Sequence, residues 1–445
     1  MATRKAHQKS PAQLFLWILL DPAHPVLVGE LKHMSSGDCS LTYDANWFAT
    51  GFALSPDLPL APGALVQVHH LARQSGAPGA VDDARPDRWG EKVIRYLHKP
   101  AATVYDHLYF AGHERFGALG VSDSKDAYTP FGGYTLPRLE DAQAISEAIR
   151  IIESGVGELD DQMRALVSAG GSLGGAKPKA AISIGGREFV IKFYNAEPFD
   201  HPLVEHATMA LARAAGLDVA RTQLIQLTGE HAVAVERFDR IGDNGEKRSH
   251  CISACTLLRA VTPGGQDPEF GYPHLARALK QFGNIQTLDA QLRELFKRMI
   301  FNILIANTDD HEKNHSLMCA VSGRTMRMSL SKAYDIVPTG SGATEHQFFI
   351  SETSKEPSLD EAMSVCAVFN LTPTEAAADV AEIIATVNGW KSFFVGLGIT
   401  ARDLEEIEPL IDSESLLAQR TGFDTARYNN IKTVRKKRTG AKAFR

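Results

Sequence analysis

The stretch from Ser168 to Tyr194, SAGGSLGGAKPKAAISIGGREFVIKFY, constrains the fold more than any other part of the chain. Two apolar runs, Lys179–Ile184 and Glu188–Tyr194, flank Gly185-Gly186, a dipeptide that accepts the positive φ of a tight hairpin turn. A glycine-rich loop therefore leads into a β-hairpin whose second strand carries Lys192. The next segment, LVEHATMALARAAGLDVA, spaces its apolar residues as a helix does and has Gly216 where that helix should end. Strands are expected around Thr222–Leu227 and Ala232–Val235, the latter running into ERFDR.

Beyond about Arg240 the pattern turns mainly helical. In QLRELFKRMIFNILIAN, Leu292, Leu295, Phe296, Met299, Ile300, Ile303 and Leu304 make one apolar face at the 3.6-residue period, which predicts a long buried helix. It should stop at Asn307-Thr308-Asp309-Asp310, because these side chains bond to nearby backbone and favour turns and caps. A strand over Met326–Leu330 then runs into Ala333-Tyr334-Asp335-Ile336-Val337-Pro338. Nearer the N-terminus, Leu14 to about Ser55 alternates apolar runs such as PVLVGEL and SLTYDANWFA with turn residues, a strand-rich pattern. Helices are expected over Asp87–Leu97 and Val104–Phe110, and another from about Asp141. A chain of 445 residues should divide into two or three units. We expect an α+β unit over 1–125, a sheet-bearing lobe with the glycine-rich loop over 126–240, and a mainly helical lobe over 241–445.

Composition removes several function classes. The 47 basic and 53 acidic residues leave a net charge of -6, so the molecule as a whole offers no general attraction to nucleic acid. Cys39, Cys251, Cys255, Cys319 and Cys366 are too scattered for a disulfide framework and are expected as reduced thiols. Cys251 and Cys255 have no second pair nearby, which favours packing on a helix face over metal binding. LFLWILL follows Arg4, Lys5 and Lys9 in the manner of a signal peptide, yet it stops at Asp21-Pro22 without a small-residue cleavage pattern, so a buried strand is expected. No apolar run approaches the ~18 residues that span a bilayer. The expectation is a cytoplasmic protein without a membrane partner.

The segment NTDDHEKNHSL (Asn307–Leu317) contains two incompatible sites. Read as His311-Glu312-Lys313-Asn314-His315 it matches the zinc-peptidase pattern, which needs both histidines on one face of a regular helix. The motif instead follows a cluster of turn formers, and Glu345 and His346 make no convincing third ligand. Read as Asp309 followed by Asn314, it has the spacing of a kinase catalytic loop. The other parts of such a site stand in chain order: a glycine-rich loop at Gly170–Gly175, Lys192 on a strand, Glu205 on the next helix, Glu236 and Phe238 where the chain should pass the adenine, and Asp335 closing a strand. Each signal is weak alone. Their order and spacing together point to ATP-dependent phosphoryl transfer, with HEKNH a zinc motif by accident.

These segments resemble the HipA family of bacterial serine/threonine kinases, the toxins of HipA/HipB-type toxin–antitoxin modules. The resemblance is carried by PDRWGEKVI, ERFGALGV, SLGGAKPKA, VIKF, VERFDR, NTDDHEKNHSL and YDIVP, in family order across most of the chain. It implies a two-lobed kinase-like core preceded by the family's N-terminal subdomain. It further implies that Asp309 is the catalytic base, that Asn314 and Asp335 hold Mg²⁺, and that Gly174, Gly175, Ala176, Lys177 and Lys179 meet the nucleotide phosphates. Lys192 would meet the α/β phosphates with Glu205 as its partner. Glu236, Arg237 and Phe238 would line the adenine edge, with His311 and Tyr334 beside the nucleotide. Ser172 matches the serine that family members autophosphorylate, and about -2 of added charge in a phosphate-binding loop should repel ATP.

The same resemblance implies a HipB-like helix-turn-helix antitoxin as partner, contact with DNA through it, and an aminoacyl-tRNA synthetase as protein target. Two departures stand out. Lys177-Pro178 replaces the Gln-Glu of founding members, and Asp310 replaces the usual glycine, which is expected to add a charge near the metals. Asp310 is also the one feature that favours a catalytically silent kinase fold. The basic tail from Lys432 to Arg445 is expected to be a solvated end.

Overall fold

The computed structural model describes residues 10–61, 66–67, 76–99, 101, 103–133, 135–170, 173–194, 197–242, 245–262, 269–339 and 345–429. The N-terminal sheet has the order β4-β3-β2-β1-β5, from β1 (Leu14–Ile18), β2 (Val26–His33), β3 (Cys39–Tyr43), β4 (Val66–Gln67) and β5 (Leu119–Ser122). The apolar run read as a buried strand is β1, which pairs antiparallel with both β2 and β5. The strand reading of SLTYDANWFA holds only to Tyr43. Asp44 accepts from the N–H groups of Asn46 and Trp47, and this cap starts a short helix, Ala45–Thr50. The expected helices are present as Arg88–Leu97 and Val104–Phe110, the second closed by a capping box between Thr103 and Asp106.

The second sheet is the one forecast from the glycine-rich stretch. Strands β6 (Lys179–Ile184), β7 (Arg187–Phe193), β8 (Thr222–Leu227) and β9 (Glu230–Glu236) lie in the order β6-β7-β9-β8, all antiparallel. Gly185 and Gly186 have φ of 58° and 82°, so the hairpin needs residues free of the Cβ clash at both central positions. The helix His201–Ala214 is capped by Asp200, which accepts from the Leu203 N–H, and Gly216 follows it at φ 80°.

Strands β10 (Arg240–Ile241) and β11 (Lys247–Arg248) form a small ribbon, and β12 (His250–Ser253), β13 (Ser316–Ser322) and β14 (Thr325–Leu330) form a third sheet. Around it pack the helices of the C-terminal lobe, centred on Leu288–Leu304. All seven apolar residues of its forecast face are fully buried, each contributing about 1.5–3 kcal/mol of transfer free energy. The architecture is α+β and two-lobed, with an added N-terminal α+β region.

Packing ties these parts together. One buried cluster runs from Leu16 and Leu41 of the first sheet through Leu257 to Phe296 and Phe394 of the C-terminal lobe. A second joins Ile182 and Ile191 to Ile145 and Ile149 of the helix Ala142–Ser154, and takes in Trp89 and Val93 from the helix Arg88–Leu97. That N-terminal helix is therefore packed against the second sheet. All five cysteines are free and buried. Among the described residues no helix is long and apolar enough to cross a membrane.

Candidate active site

The site forms where β7, the helix His201–Ala214 and the segment after β14 converge. The Lys192 Nζ lies 2.6 Å from the Glu205 carboxylate and 2.5 Å from that of Asp335. Glu205 has no exposed side-chain surface, whereas Asp335 is 36% exposed. Burial opposes the Lys192 charge, but the Asp335 and Glu205 carboxylates outweigh it and hold the ammonium above its ordinary range. Burial likewise opposes the Asp335 charge, and Lys192 and Lys179 pull its pKa well below the usual carboxylate range. Glu205 is raised by burial against the pull of Lys192. Asp335 adopts φ of 59°, a conformation aspartate tolerates better than most residues.

Lys179 is the direct cross-strand partner of Lys192. Like charges opposite one another destabilise a sheet, and burial together with Lys192 pulls Lys179 down to about 8. Its Nζ donates to the Gly174 carbonyl at 2.8 Å. The loop itself is held from the N-terminal region. Gly175 N–H donates to the Asp87 carboxylate, Trp89 N–H donates to the Gly175 carbonyl at 3.1 Å, and the Trp89 indole donates to the Lys179 carbonyl at 2.9 Å. Gly175 has φ of 103°, and a Cβ there would lie 2.1 Å from Lys179 Nζ. A Cβ on Gly174 would lie 2.9 Å from Asp87 Oδ1. Gly175 thus requires glycine through its backbone, and a side chain at Gly174 would have to displace the Asp87 carboxylate. Ala176 is exposed. Lys177 pairs with Glu197 at 3.1 Å and with the His201 ring. Ser172 and the basic tail lie outside the described residues.

Residues 307–315 form turns, so the two histidines of HEKNH do not share a helical face. Asp309 reaches solvent, its Oδ1 accepts from the Gln347 side-chain amide, and the partial loss of water around its carboxyl, with Asp335 nearby, raises its pKa above the ordinary value. Asn314 Nδ2 donates to the Asp309 carbonyl at 3.4 Å, which orients the asparagine and frees its oxygen. Gln347 N–H donates to Thr308 O and Phe348 N–H to Asp310 O, both at 3.1 Å, so this later segment grips the loop on both sides of Asp309. His311 Nδ1 accepts from the Lys313 N–H at 3.2 Å. Lys313 Nζ reaches Asp87 at 2.6 Å, and Asp87 thereby joins the glycine-rich loop to the 307–315 loop.

Two expectations are corrected here. Asp310 does not add a charge facing the metals: its side chain is 2% exposed, with its carboxylate against His315 Nε2 at 3.1 Å and the Tyr272 hydroxyl. Asn302 donates to that hydroxyl at 2.9 Å, and Asn307 to Asn302 at 3.2 Å, which completes a buried polar chain beneath the loop. The Arg237 guanidinium does not line an adenine edge either. It is buried, bonded to Glu114 at 3.1 Å and to Asp239 at 3.0 and 2.8 Å. Glu236 is held by Arg187 at 2.9 Å. Phe238 is partly exposed, with Tyr334 at 5.4 Å on one side and Phe116 at 6.4 Å on the other, measured between ring centroids. The Tyr334 hydroxyl is tied to Ser316 at 2.6 Å and donates to Lys313 O at 2.8 Å.

The donor set fits a nucleotide with Mg²⁺ better than zinc. Among the described residues no group of three His, Cys, Asp or Glu side chains is arranged to hold a metal ion. Mg²⁺ needs only one or two carboxylates when substrate phosphates complete its shell, and Asp335 and Asn314 offer hard oxygens of that kind. Asp87, Trp89, Lys313 and Gln347 were not singled out from the sequence as site residues. PDRWGEKVI was visible as a segment, but nothing local announces that its side chains bond 88 or 226 residues away.

Comparison with known proteins places the family and the fold. Residues 23–122 match the HipA N-terminal domain and residues 171–390 the HipA-like C-terminal domain. The chain is 25% identical over 344 residues to the serine/threonine-protein kinase toxin HipA of Shewanella oneidensis, covering 70% of this chain and 73% of that one. A relative from Sinorhizobium fredii is 29% identical over 248 residues, 52% of this chain and 54% of its own length. The Shewanella oneidensis HipA solved with HipB and its operator DNA superposes with a TM-score of 0.64 at 19% identity, covering 94% of this chain and all of that one. With both of its domains matched in order and the same fold across nearly its whole length, the chain belongs to the HipA family.

Proposed function

We propose that this protein is an ATP- and Mg²⁺-dependent serine/threonine protein kinase of the HipA toxin type. The observation that carries the reading is Lys192, held between Glu205 and Asp335 beside a second lysine on the neighbouring strand. Two lysines side by side on one sheet face, with Asp335 open to solvent beside them, suit phosphate oxygens and a divalent cation. In this reading Gly174 to Lys179 cradle the phosphates, Lys192 holds the α/β pair, and Phe238, backed by Tyr334, presents one aromatic wall to the base. Asp335 and Asn314 hold Mg²⁺, which neutralises phosphate charge when bound. The acceptor hydroxyl oxygen bonds to the γ-phosphorus as the bond to the β–γ bridging oxygen breaks. ADP leaves with that electron pair, and the hydroxyl proton passes to Asp309. The raised pKa of Asp309 suits a general base.

The partner proposed is a HipB-like helix-turn-helix protein, with DNA reached through it, since the solved relative is assembled with HipB and operator DNA. The acceptor proposed is a protein of the aminoacyl-tRNA synthetase class, with Ser172 as the self-inhibitory site. The silent-kinase alternative loses its one support now that Asp310 faces the core. The test is intact-mass spectrometry after incubation with ATP and Mg²⁺, on protein confirmed to start unmodified, with Asp309→Ala alongside. Phosphate gained by the wild type, mapped to Ser172 and reduced by about 10²–10⁴ in rate in the variant, is the expected result. Phosphate gained equally by both proteins would remove Asp309 from its role.

A further inference from the structure

One charged group at the mouth of the cleft has no part in that reading. Arg88 opens the helix Arg88–Leu97 with φ of 36°, in the left-handed region that a non-glycine residue enters only at a cost. Both chain neighbours are fixed to the site. Asp87 is bonded to the Gly175 N–H and to Lys313, and Trp89 to the carbonyls of Gly175 and Lys179. Asp87 occupies the N-cap position, yet its side chain makes no capping bond to its own helix. The capping group is spent on the two loops instead, and Arg88 is held where they meet.

The other basic side chains around the cleft all have partners: Lys177 with Glu197, Lys179 with Gly174 O, Lys192 with two carboxylates, Lys313 with Asp87. Arg88 is exposed, and no described residue offers it a hydrogen bond or an ion pair. It also stands close enough to act on the catalytic loop. Burial raises the Asp309 carboxyl, and Arg88 is among the basic side chains that oppose this.

We propose that Arg88 is a catalytic residue, inserted by the N-terminal region between the glycine-rich and catalytic loops to bind the terminal phosphoryl group of the nucleotide. This rests on the kinase reading above. A guanidinium presents a planar fork of donors that matches two non-bridging phosphate oxygens, and a strained backbone held from both sides keeps it there without a protein carboxylate to hold it back.

The experiment titrates wild type, Arg88→Ala, Arg88→Lys and Arg88→Gly with Mg-ATP and with Mg-ADP, and records the melting temperature of each. ATP affinity should fall about tenfold in Arg88→Ala while ADP affinity stays within about twofold, because only ATP carries the group contacted. Arg88→Lys should recover part of the loss. Arg88→Gly should lose the same ATP preference while melting higher than wild type, since glycine relieves the positive φ. Equal weakening toward both nucleotides would make Arg88 a loop-positioning residue and overturn the assignment, as would unchanged ATP binding. Wild type that binds neither nucleotide would overturn the kinase reading itself, and the arginine assignment with it.

Discussion

Two groups of charges lie close together in this molecule and are built on opposite plans. Behind the end of β9, Arg237, Arg240 and Arg248 meet Glu114, Glu188 and Asp239, each cation within 3.3 Å of a carboxylate and no side chain more than 10% exposed. Backbone fills the remaining positions: Gly117 N–H donates to Asp239 at 2.8 Å, and Arg240 donates to Gly117 O at 3.0 Å. Three arginines face three carboxylates, so charge is balanced within the protein, and of this group only the Arg248 Nε lacks a hydrogen-bond partner among the described residues. At Lys192 the balance is left open. One ammonium serves two carboxylates, Glu205 Oε2 has no hydrogen-bond partner among the described residues, and a second lysine stands beside the first. The first group is balanced within the fold, whereas the second keeps the open carboxylate and the second lysine that the proposed nucleotide would meet.

The largest expected effect comes from breaking the closed cluster. Arg237→Met leaves Glu114 and Asp239 to share Arg240 and Arg248 and the buried cluster one cation short, which should cost about 3–5 kcal/mol of stability. Denaturant unfolding is the measurement, and a change under about 1 kcal/mol would show that the cluster is not a weld. Next comes Lys192→Met. It should lower the phosphorylation rate by about 10²–10³, with a smaller loss of stability than Arg237→Met, because Asp335 reaches solvent and Glu205, already raised by burial, can take a proton. Equal stability losses in the two variants would erase the distinction between the groups.

How much of this was legible in the sequence follows the range of the interactions. Gly185-Gly186, the apolar stripe from Leu292 to Leu304 and Gly216 are local signals, and each marked its element correctly. Asp44 carried a local signal too, a helix cap, but strand periodicity on either side hid it. The side chains of Asp310 and Arg237 could not be aimed from sequence. Asp310 is turned inward by Tyr272, 38 positions earlier, and Arg237 is captured by Glu114, 123 positions earlier. Asp87 meets its partners only because the N-terminal region packs on the second sheet, a fact of the tertiary core.

The open group also predicts a dependence on pH. Lys179 is brought from an ordinary 10.5 down to about 8 by burial and Lys192. The folded chain therefore holds this proton less readily than the unfolded chain. The resulting penalty on stability is full below about 8 and fades as pH rises toward 10.5. Nucleotide affinity runs the other way. Phosphate stabilises the ammonium, so ATP binding should weaken as pH rises through about 8, by at most about tenfold per unit. Titrations between pH 7 and 9.5 on wild type and Lys179→Met check this: the slope should vanish in the variant, and a slope that persists would place the titrating group elsewhere.

Between the two plans stands Asp87, and the smallest effect should come from it. Its pair with Lys313 joins side chains 20% and 44% exposed, so solvent screens it and it should add under about 1 kcal/mol to stability. Its carboxylate nevertheless takes the Gly175 N–H and fixes the glycine-rich loop. Asp87→Asn keeps a hydrogen-bond acceptor but removes the charge that both Gly175 and Lys313 answer. The KM for ATP should rise about two- to tenfold, the cost of one weakened hydrogen bond, with the melting temperature nearly unchanged. Lys313→Met removes the same ion pair from the other side and leaves the Asp87–Gly175 bond in place. If Asp87 acts through the glycine-rich loop, Lys313→Met should raise that KM less than Asp87→Asn does. The opposite order would show that the ion pair to the catalytic loop, and not the loop bond, is what the N-terminal region contributes.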